Sequence, residues 1–535
     1  MPPSAVNAPA AQNGGALCFD RLLSGREAAA VVILGVLLAG LPLCFTEFPA
    51  SIDFQAHIAR IHLLQQILQD GADGDFYSRW YELGTFNIAN IGTDVVALVI
   101  AQLVSAPQAG RLFLFLVMAV TFSGVFVLNY AVHRRLTLWP AMSCLLLHNW
   151  ILSFGFIGYL LGVGLFLWFL GLWILIRDRP LWQRLLFGLI AGQILFYCHL
   201  AAFGCLAMSV AGLELYRAVK SWKRERWTAL FRLVLLGLPL AVPLLVLVLG
   251  SPMGEAVTRH MVFAPWDRKL LFALRTITSR NLAVDLVTGG FLLLAGFVLI
   301  RQRAIRFAPE MLLSVALLTL AWLLLPARLF SSAYADARIP LAIFYLLVGI
   351  TTVSIRSTTW NCVLMVGIGA VFLLRAAAIS HDWAKYEQIV EGFQEGFDKM
   401  ASSSLMIEAR EMRDRSFYER FYDDSFRPLA QISNLAMLDR RIFVPGLYAD
   451  VGKQPLNVRP RYAEIYRFQD YKPRSVETVE DLERVIARGR ALVAEAAVTE
   501  PLYLILINPY TLRTYSAEGV EPIHSDPNFV LFRLH

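Results

Sequence analysis

The chain has few cysteines, few charges and none of the common phosphate loops. Only six of its 535 residues are cysteine, and no two stand in a Cys-x-x-Cys pair. Cys18 lies in the N-terminal tail, while Cys44, Cys144, Cys198, Cys205 and Cys362 lie in or beside apolar runs, where a thiol is expected as a small buried side chain. Residues 380–535 hold none, so no disulfide framework ties them together. No GxxxxGK[ST] loop occurs, and no GxGxxG follows a strand-like run, which excludes the familiar ATP-coupled and dinucleotide-binding classes. No repeat of 20–50 residues is visible. Charged residues make up 17%, against about 25% in an average soluble domain.

What fills the space is apolar. Hydrophobic residues reach 57% and the mean hydropathy is +0.56. The excess is uneven: residues 27–378 carry nearly all the long apolar runs, and 380–535 read as a water-facing domain. A membrane-spanning helix needs about 20 apolar residues. Candidates run at about 27–45, 111–132, 138–153, 157–176, 183–198, 200–217, 229–250, 283–301, 309–326, 339–355 and 359–378. The short run 92–105 carries Asp94 and reads as a helix lying at the membrane surface. Residues 1–20, rich in Ala, Pro, Asn and Gly, are expected to be disordered. Arg21 and Arg26 precede the first run, which is read as an uncleaved span.

The net charge of +7 sits mostly in short loops: Arg134 and Arg135, Arg177 and Arg179, "KSWKRER" at 220–226, "RQRAIR" at 301–306. Loops enriched in Lys and Arg face the cytoplasm. This favours about eleven spans with the N-terminus inside and the C-terminus outside, and argues against a nucleic-acid partner. Four outer segments follow, at 46–110, 153–158 with 199, 251–282 and 327–338. In the tail, Trp383, Tyr386, Ile389, Val390 and Phe393 have helical spacing, and 475–496 reads as a helix with Thr478 and Asp481 as a capping box. "LYLILI" at 502–507 and "FVLFRL" at 529–534 read as buried strands. The expected fold is mainly α, a polytopic helical membrane protein with a small C-terminal α/β outer domain. Its divisions are a tail at 1–20, the membrane domain at 21–379 with its outer loop 46–110, and the outer domain at 380–535.

Chemistry is expected where the first span ends. "SIDFQAHIAR" sets Asp53, His57 and Arg60 on one helical face, among Asp70, Asp73, Asp75, Glu82 and Asp94. A carboxylate at that depth can act as a general base toward a hydroxyl, and Asp53 with His57 could hold a divalent cation, Mg or Mn. An Asp53–His57 pair is the plainer alternative. His199 stands in a tight outer turn, "FYCHLAAF", and a His at membrane depth often marks a cavity. "SSAYADARIPL" places Tyr334, Asp336 and Arg338 just before a late span. Arg338 could grip a phosphate in two-pronged fashion, or pair with Asp336. The outer loop 251–282 carries Arg259, His260, Asp267, Arg268, Lys269, Arg275 and Arg280. Such an outer basic cluster suits an anionic lipid carrier or anionic head groups. "HNW" at 148–150 and "GFIGY" at 155–159 read as an interfacial aromatic belt.

"DFQAHIARIHLLQQI" followed by "GDFYSRWYELGTFNIANIGTDVVALVIAQLV" resembles the first outer loop of the GT-C glycosyltransferases, with distant likeness to aminoarabinose and protein O-mannosyl transferases. The order matches: Asp53, then Gly74-Asp75 with Arg79-Trp80, then 92–105, then a span ending in basic residues. The chain departs from those relatives in lacking a Pro-Pro-Leu-type start to the surface helix, and the second acidic residue falls on either Glu82 or Asp94. The resemblance implies transfer of a sugar from a polyprenyl-phosphate carrier to a glycan, lipid or protein acceptor at the outer face, with inversion. Asp53 would be the catalytic carboxylate and Arg338, Arg275 and Lys269 the phosphate ligands. His57, Arg79, Glu82, Asp94, His199, Tyr334 and Asp336 would line the site. The expected setting is a bacterial inner membrane with the tail in the periplasm. The alternatives are a polysaccharide polymerase or ligase, or a lipid-glycan flippase. A flippase would show charges buried mid-span and repeated halves, and the apolar runs here carry few charges.

Overall fold

A computed structural model of the protein describes residues 18–69, 72–84, 88–250, 261–279, 281–329, 332–412, 428–470 and 472–535. Asp70, Arg259, His260 and Arg280 of the expected outer charges lie outside these residues, as does the side chain of Asp73.

The first apolar run forms α1 (Gly25–Ala39), opened by a Ser24–Glu27 capping box. The outer loop then builds α2 (Phe54–Gln69), α3 (Ala72–Trp80) and α4 (Gly92–Ala101). At ten residues, α4 is about 15 Å long and too short to cross a bilayer. α5 (Ala106–His133) returns through the bundle. The run at 138–153 is no regular span: it forms a 3-10 segment, Trp139–Leu146, and a short helix α6 (Trp150–Phe154). Pro140 at the start of the 3-10 segment and the Asn149 cap before α6 interrupt it.

α7 (Ile157–Leu175), α8 (Leu181–Cys198) and α9 (Leu200–Gly250) follow. α9 breaks at Arg226, whose φ of 35° and ψ of −112° divide it into two apolar limbs. Next come α10 (Trp266–Arg275), α11 (Leu282–Arg301), α12 (Leu312–Leu324), α13 (Ala335–Gly349) and α14 (Thr358–Phe397). Among the described residues, six helices are long and apolar enough to cross a membrane, α9 among them. The protein is therefore a multi-pass membrane protein. Some buried charges of the bundle are paired, as at Arg375 of α14 and Asp285 of α11, 3.5 Å apart. Cys44 and Cys362, expected to be buried, are exposed.

The tail is a mixed α/β domain. Strands Ser404–Glu411 and Leu502–Ile507 run parallel, Phe529–Leu534 pairs antiparallel with the latter, and Val520–Asp526 closes that edge. The central strands are buried at every position; Leu502–Ile507 is apolar throughout, as burial on both faces favours, whereas Ser404–Glu411 also buries Glu408, Arg410 and Glu411. The helix Val479–Glu495 covers the sheet and is opened by the expected Thr478–Asp481 capping box. α14 crosses residue 379 without interruption, burying Trp383, Tyr386, Val390 and Phe393 beyond it. The outer loop is joined to the tail through Tyr81–Leu83, which pairs with Leu456–Val458. Trp80 lies on Phe443 with ring centroids 4.3 Å apart and planes 8° apart.

Candidate active site

Asp53 is held by backbone before its side chain does anything. It precedes α2: its N–H donates to the Phe154 carbonyl at 3.1 Å, and its own carbonyl accepts from His57 N–H at 3.1 Å. Gly155 lies against it with φ of 97°, and a Cβ there would come within 2.7 Å of the Asp53 nitrogen. Both the left-handed backbone and the close approach require glycine at 155. The "GFIGY" stretch is therefore a wall of the site. It is not an interfacial belt: Trp150 and Tyr159 are buried, Trp150 against Phe272 and Tyr334, while the Tyr159 hydroxyl donates to the Arg338 carbonyl at 2.7 Å.

Asp53, His57, Arg60, Asp94, His199, Tyr334 and Arg338 line one cavity of about 700 Å³. Within it His57 does not pair with Asp53. The Arg60 guanidinium donates through Nε to Asp94 Oδ1 at 2.7 Å and through Nη2 to His57 Nδ1 at 2.9 Å. A guanidinium can only donate, so Nδ1 accepts and the other ring nitrogen carries the proton, which it gives to the Gly155 carbonyl. Burial, reinforced by Arg60, pushes the His57 imidazole down to about 3. His57 is thus neutral, with both nitrogens engaged.

Asp53 is the other titratable group at this wall. Burial pushes its carboxyl up to about 7, against the pull of Arg338, the Tyr448 hydroxyl and Arg60, in that order. Tyr448 donates to its Oδ1 at 3.4 Å. Tyr448, Asp450, Lys453 and Gln454 come from the tail domain and roof the cavity. No motif in the sequence marks this loop as part of the site. Its signal was "GLYADVGKQ", a polar run crowded with turn residues between two strands.

Arg338 faces Asp53 from the first turn of α13. Its Nη1 contacts His199 Nε2 at 3.3 Å and its Nη2 donates to the Ala333 carbonyl at 3.1 Å. Its Nε is buried with no partner, and the guanidinium lies 4.0 Å from the Phe156 ring centroid. Neither hydrogen-bond partner is a carboxylate. A buried guanidinium with an idle donor favours an anion.

Several expected site residues lie elsewhere. Lys269 is 3% exposed, 3.1 Å from the Asp336 carboxylate, and donates to the Trp322 and Leu325 carbonyls at 3.1 and 2.6 Å. It joins α10 to α13, and neither it nor Asp336 lines the cavity. Asp336 therefore pairs with Lys269, not with Arg338. Arg275 is buried with its guanidinium 5.3 Å from the Phe272 ring centroid, also off the cavity. Arg79 and Glu82 each lie 3.8 Å from a tail-domain partner, Glu500 and Arg459, and hold the outer loop to the tail.

No group of three or more His, Cys, Asp or Glu side chains is placed to hold a metal ion among the described residues. Of the expected pair, His57 has both ring nitrogens engaged, which leaves Asp53. A divalent cation there would depend on oxygen ligands from a bound phosphate, a set magnesium commonly takes.

No family model matches the chain, and no curated protein matches it. Among solved structures it is similar to ArnT from Cupriavidus metallidurans in two states. The form bound to undecaprenyl phosphate aligns with a TM-score of 0.49 and 10% identity, covering 95% of this chain and 98% of that one. The apo form gives 0.47 and 11% over the same shares.

Proposed function

We propose that the protein is a membrane glycosyltransferase moving a sugar from a polyprenyl-phosphate carrier to an acceptor at the outer face. One observation carries this reading: a buried carboxylate, Asp53, and a buried guanidinium with no ion-pair partner, Arg338, line the same cavity. The cavity is also lined by apolar side chains, among them Leu200, Phe203, Leu244, Leu247 and Leu325. A polyprenyl tail suits that surface, with its phosphate at Arg338. The bound lipid of the similar ArnT structure is of this class.

In this scheme Asp53 takes the proton of the acceptor hydroxyl, whose oxygen forms a bond to the anomeric carbon. The bond from that carbon to the phosphate oxygen breaks, and the electron pair leaves with the phosphate. Arg338 holds the developing charge, and one in-line displacement inverts the configuration. A carboxyl near 7 is well tuned as a base at neutral pH. Neutral His57 and the Arg60–Asp94 pair position the wall behind Asp53. A bacterial inner membrane with the roof in the periplasm completes the proposal. A divalent cation, Mg or Mn, held by Asp53 and the donor phosphate is a separate proposal, tested by chelation; no step above runs through it.

Purified protein and Asp53→Asn in proteoliposomes, offered radiolabelled polyprenyl-phosphate sugars and an envelope extract, test the reading. Wild type should release label from the carrier. The folded variant should be slower by about 10²–10⁴-fold, the usual range for general base catalysis. Equal release by both would remove Asp53 from the chemistry. No release across the panel, with lipid flipping observed instead, would make the protein a transporter.

A further inference from the structure

The end of the bundle remote from Asp53 holds a second cavity, of about 400 Å³. Arg184 and Glu214 line it, and each lies fifteen positions along its helix from His199 of the first cavity. That is about 22 Å at the helical rise. Five basic side chains, Arg177, Arg184, Arg217, Lys220 and Arg232, share its wall with four acidic ones.

Three of the four acids, Asp178, Glu214 and Glu225, are engaged with these bases. Glu214 accepts from Arg184 at 2.6 Å, from Arg217 at 3.2 Å and from the Trp173 indole at 2.9 Å. Glu225 lies 3.6 Å from Arg232. Donors remain over. Arg184 is 5% exposed, its guanidinium lies 4.7 Å from the Trp173 ring centroid, and its Nε has no partner. The Lys220 ammonium lies 5.9 Å from the Tyr216 ring centroid, and the side chain is exposed at the rim. A buried idle N–H beside a rim ammonium suits a tetrahedral oxyanion.

The depth identifies the class of anion. Trp222 and Trp227, 45% and 74% exposed with ring centroids 6.3 Å apart, flank the pocket residues on α9. Exposed Trp next to exposed Val219 and Phe231 marks the head-group level of a bilayer. Basic pockets between membrane helices at that level take lipid phosphates. We propose that this pocket binds the phosphate of an anionic glycerophospholipid. The proposal is independent of sugar transfer.

The test uses the full chain in phosphatidylcholine nanodiscs, with thermal unfolding followed as short-chain phosphatidylglycerol, short-chain phosphatidylcholine or inorganic phosphate is added. The variant is Lys220→Ala with Arg232→Ala, both at the pocket rim and away from the buried Arg184–Glu214 pair. If its unfolding temperature without ligand differs from wild type, Lys220→Gln takes its place. Phosphatidylglycerol should raise the unfolding temperature of wild type where phosphatidylcholine does not. Its affinity for the variant should fall about tenfold, or about 1.4 kcal/mol. An equal rise in the variant, or none in wild type, would overturn the proposal. A rise reproduced by inorganic phosphate alone would make this a soluble-anion site and remove the lipid.

Discussion

Asp336 and Arg338 are two residues apart on α13, so they point about 200° apart around the helix. On one side Asp336 meets Lys269 in a dry joint with α10, both side chains almost wholly buried. On the other, Arg338 meets a cavity, a histidine and a carbonyl oxygen. Two charges of one helix turn thus differ: Asp336 is part of a fastening, and Arg338 faces a cavity with an idle donor. Burial alone does not separate the two roles. What separates them is whether the charge is closed in an ion pair, as Lys269–Asp336 is.

That contrast can be broken experimentally, beginning with the joint. Lys269→Ala should leave Asp336 buried and unpaired, lowering stability by about 3–5 kcal/mol. Lys269→Met combined with Asp336→Leu should recover most of it. Unfolding temperatures in lipid read this out, and a double variant as unstable as the single one would mean that the joint is not an ion pair in effect. Arg338→Ala should cost less stability than Lys269→Ala, since the carboxylate it acts on, Asp53, makes no ion pair with it and keeps the Tyr448 hydroxyl. It should slow transfer by about 10²–10³-fold, the cost of losing one transition-state donor, and Arg338→Lys should recover only part. A large loss of stability in Arg338→Ala would place Arg338 with the fastenings.

The smallest effect concerns pH. A general base must be ionised, so kcat/KM should rise as pH increases through about 7, the value to which burial pushes Asp53. Tyr448→Phe removes a hydrogen bond that favours the ionised carboxylate. The midpoint should therefore move upward with little change in the plateau. A pH profile of single-turnover transfer measures both, and an unmoved midpoint would make Tyr448 a packing residue only.

The fold was largely legible because long apolar runs leave a chain few alternatives to membrane helices. The run at 138–153 misled through composition alone, since Pro140 and Asn149 sit where a helix would need ordinary residues. Asp53 was legible because a lone polar cluster followed an apolar run. The contact of His199 with Arg338 joins residues 139 positions apart, and no local pattern carries such a distance. Lys269 and Asp336 were placed in the site by charge and depth, although helical geometry already forbade Asp336 and Arg338 from facing one way. Arg79 and Glu82 looked like site residues because their stretch is polar, but that polarity serves the seam with the tail.

α14 has a further consequence for how the molecule could be taken apart. Its 40 residues form a rod about 60 Å long, begun in lipid and finished under the sheet. Cutting at 379, where composition changes, would sever the rod midway and strip cover from Trp383, Tyr386, Val390 and Phe393. The two halves are thus not interchangeable modules. An exchange of roofs between chains of this fold would have to carry the whole rod with it, and with the rod the contact of Tyr448 with Asp53.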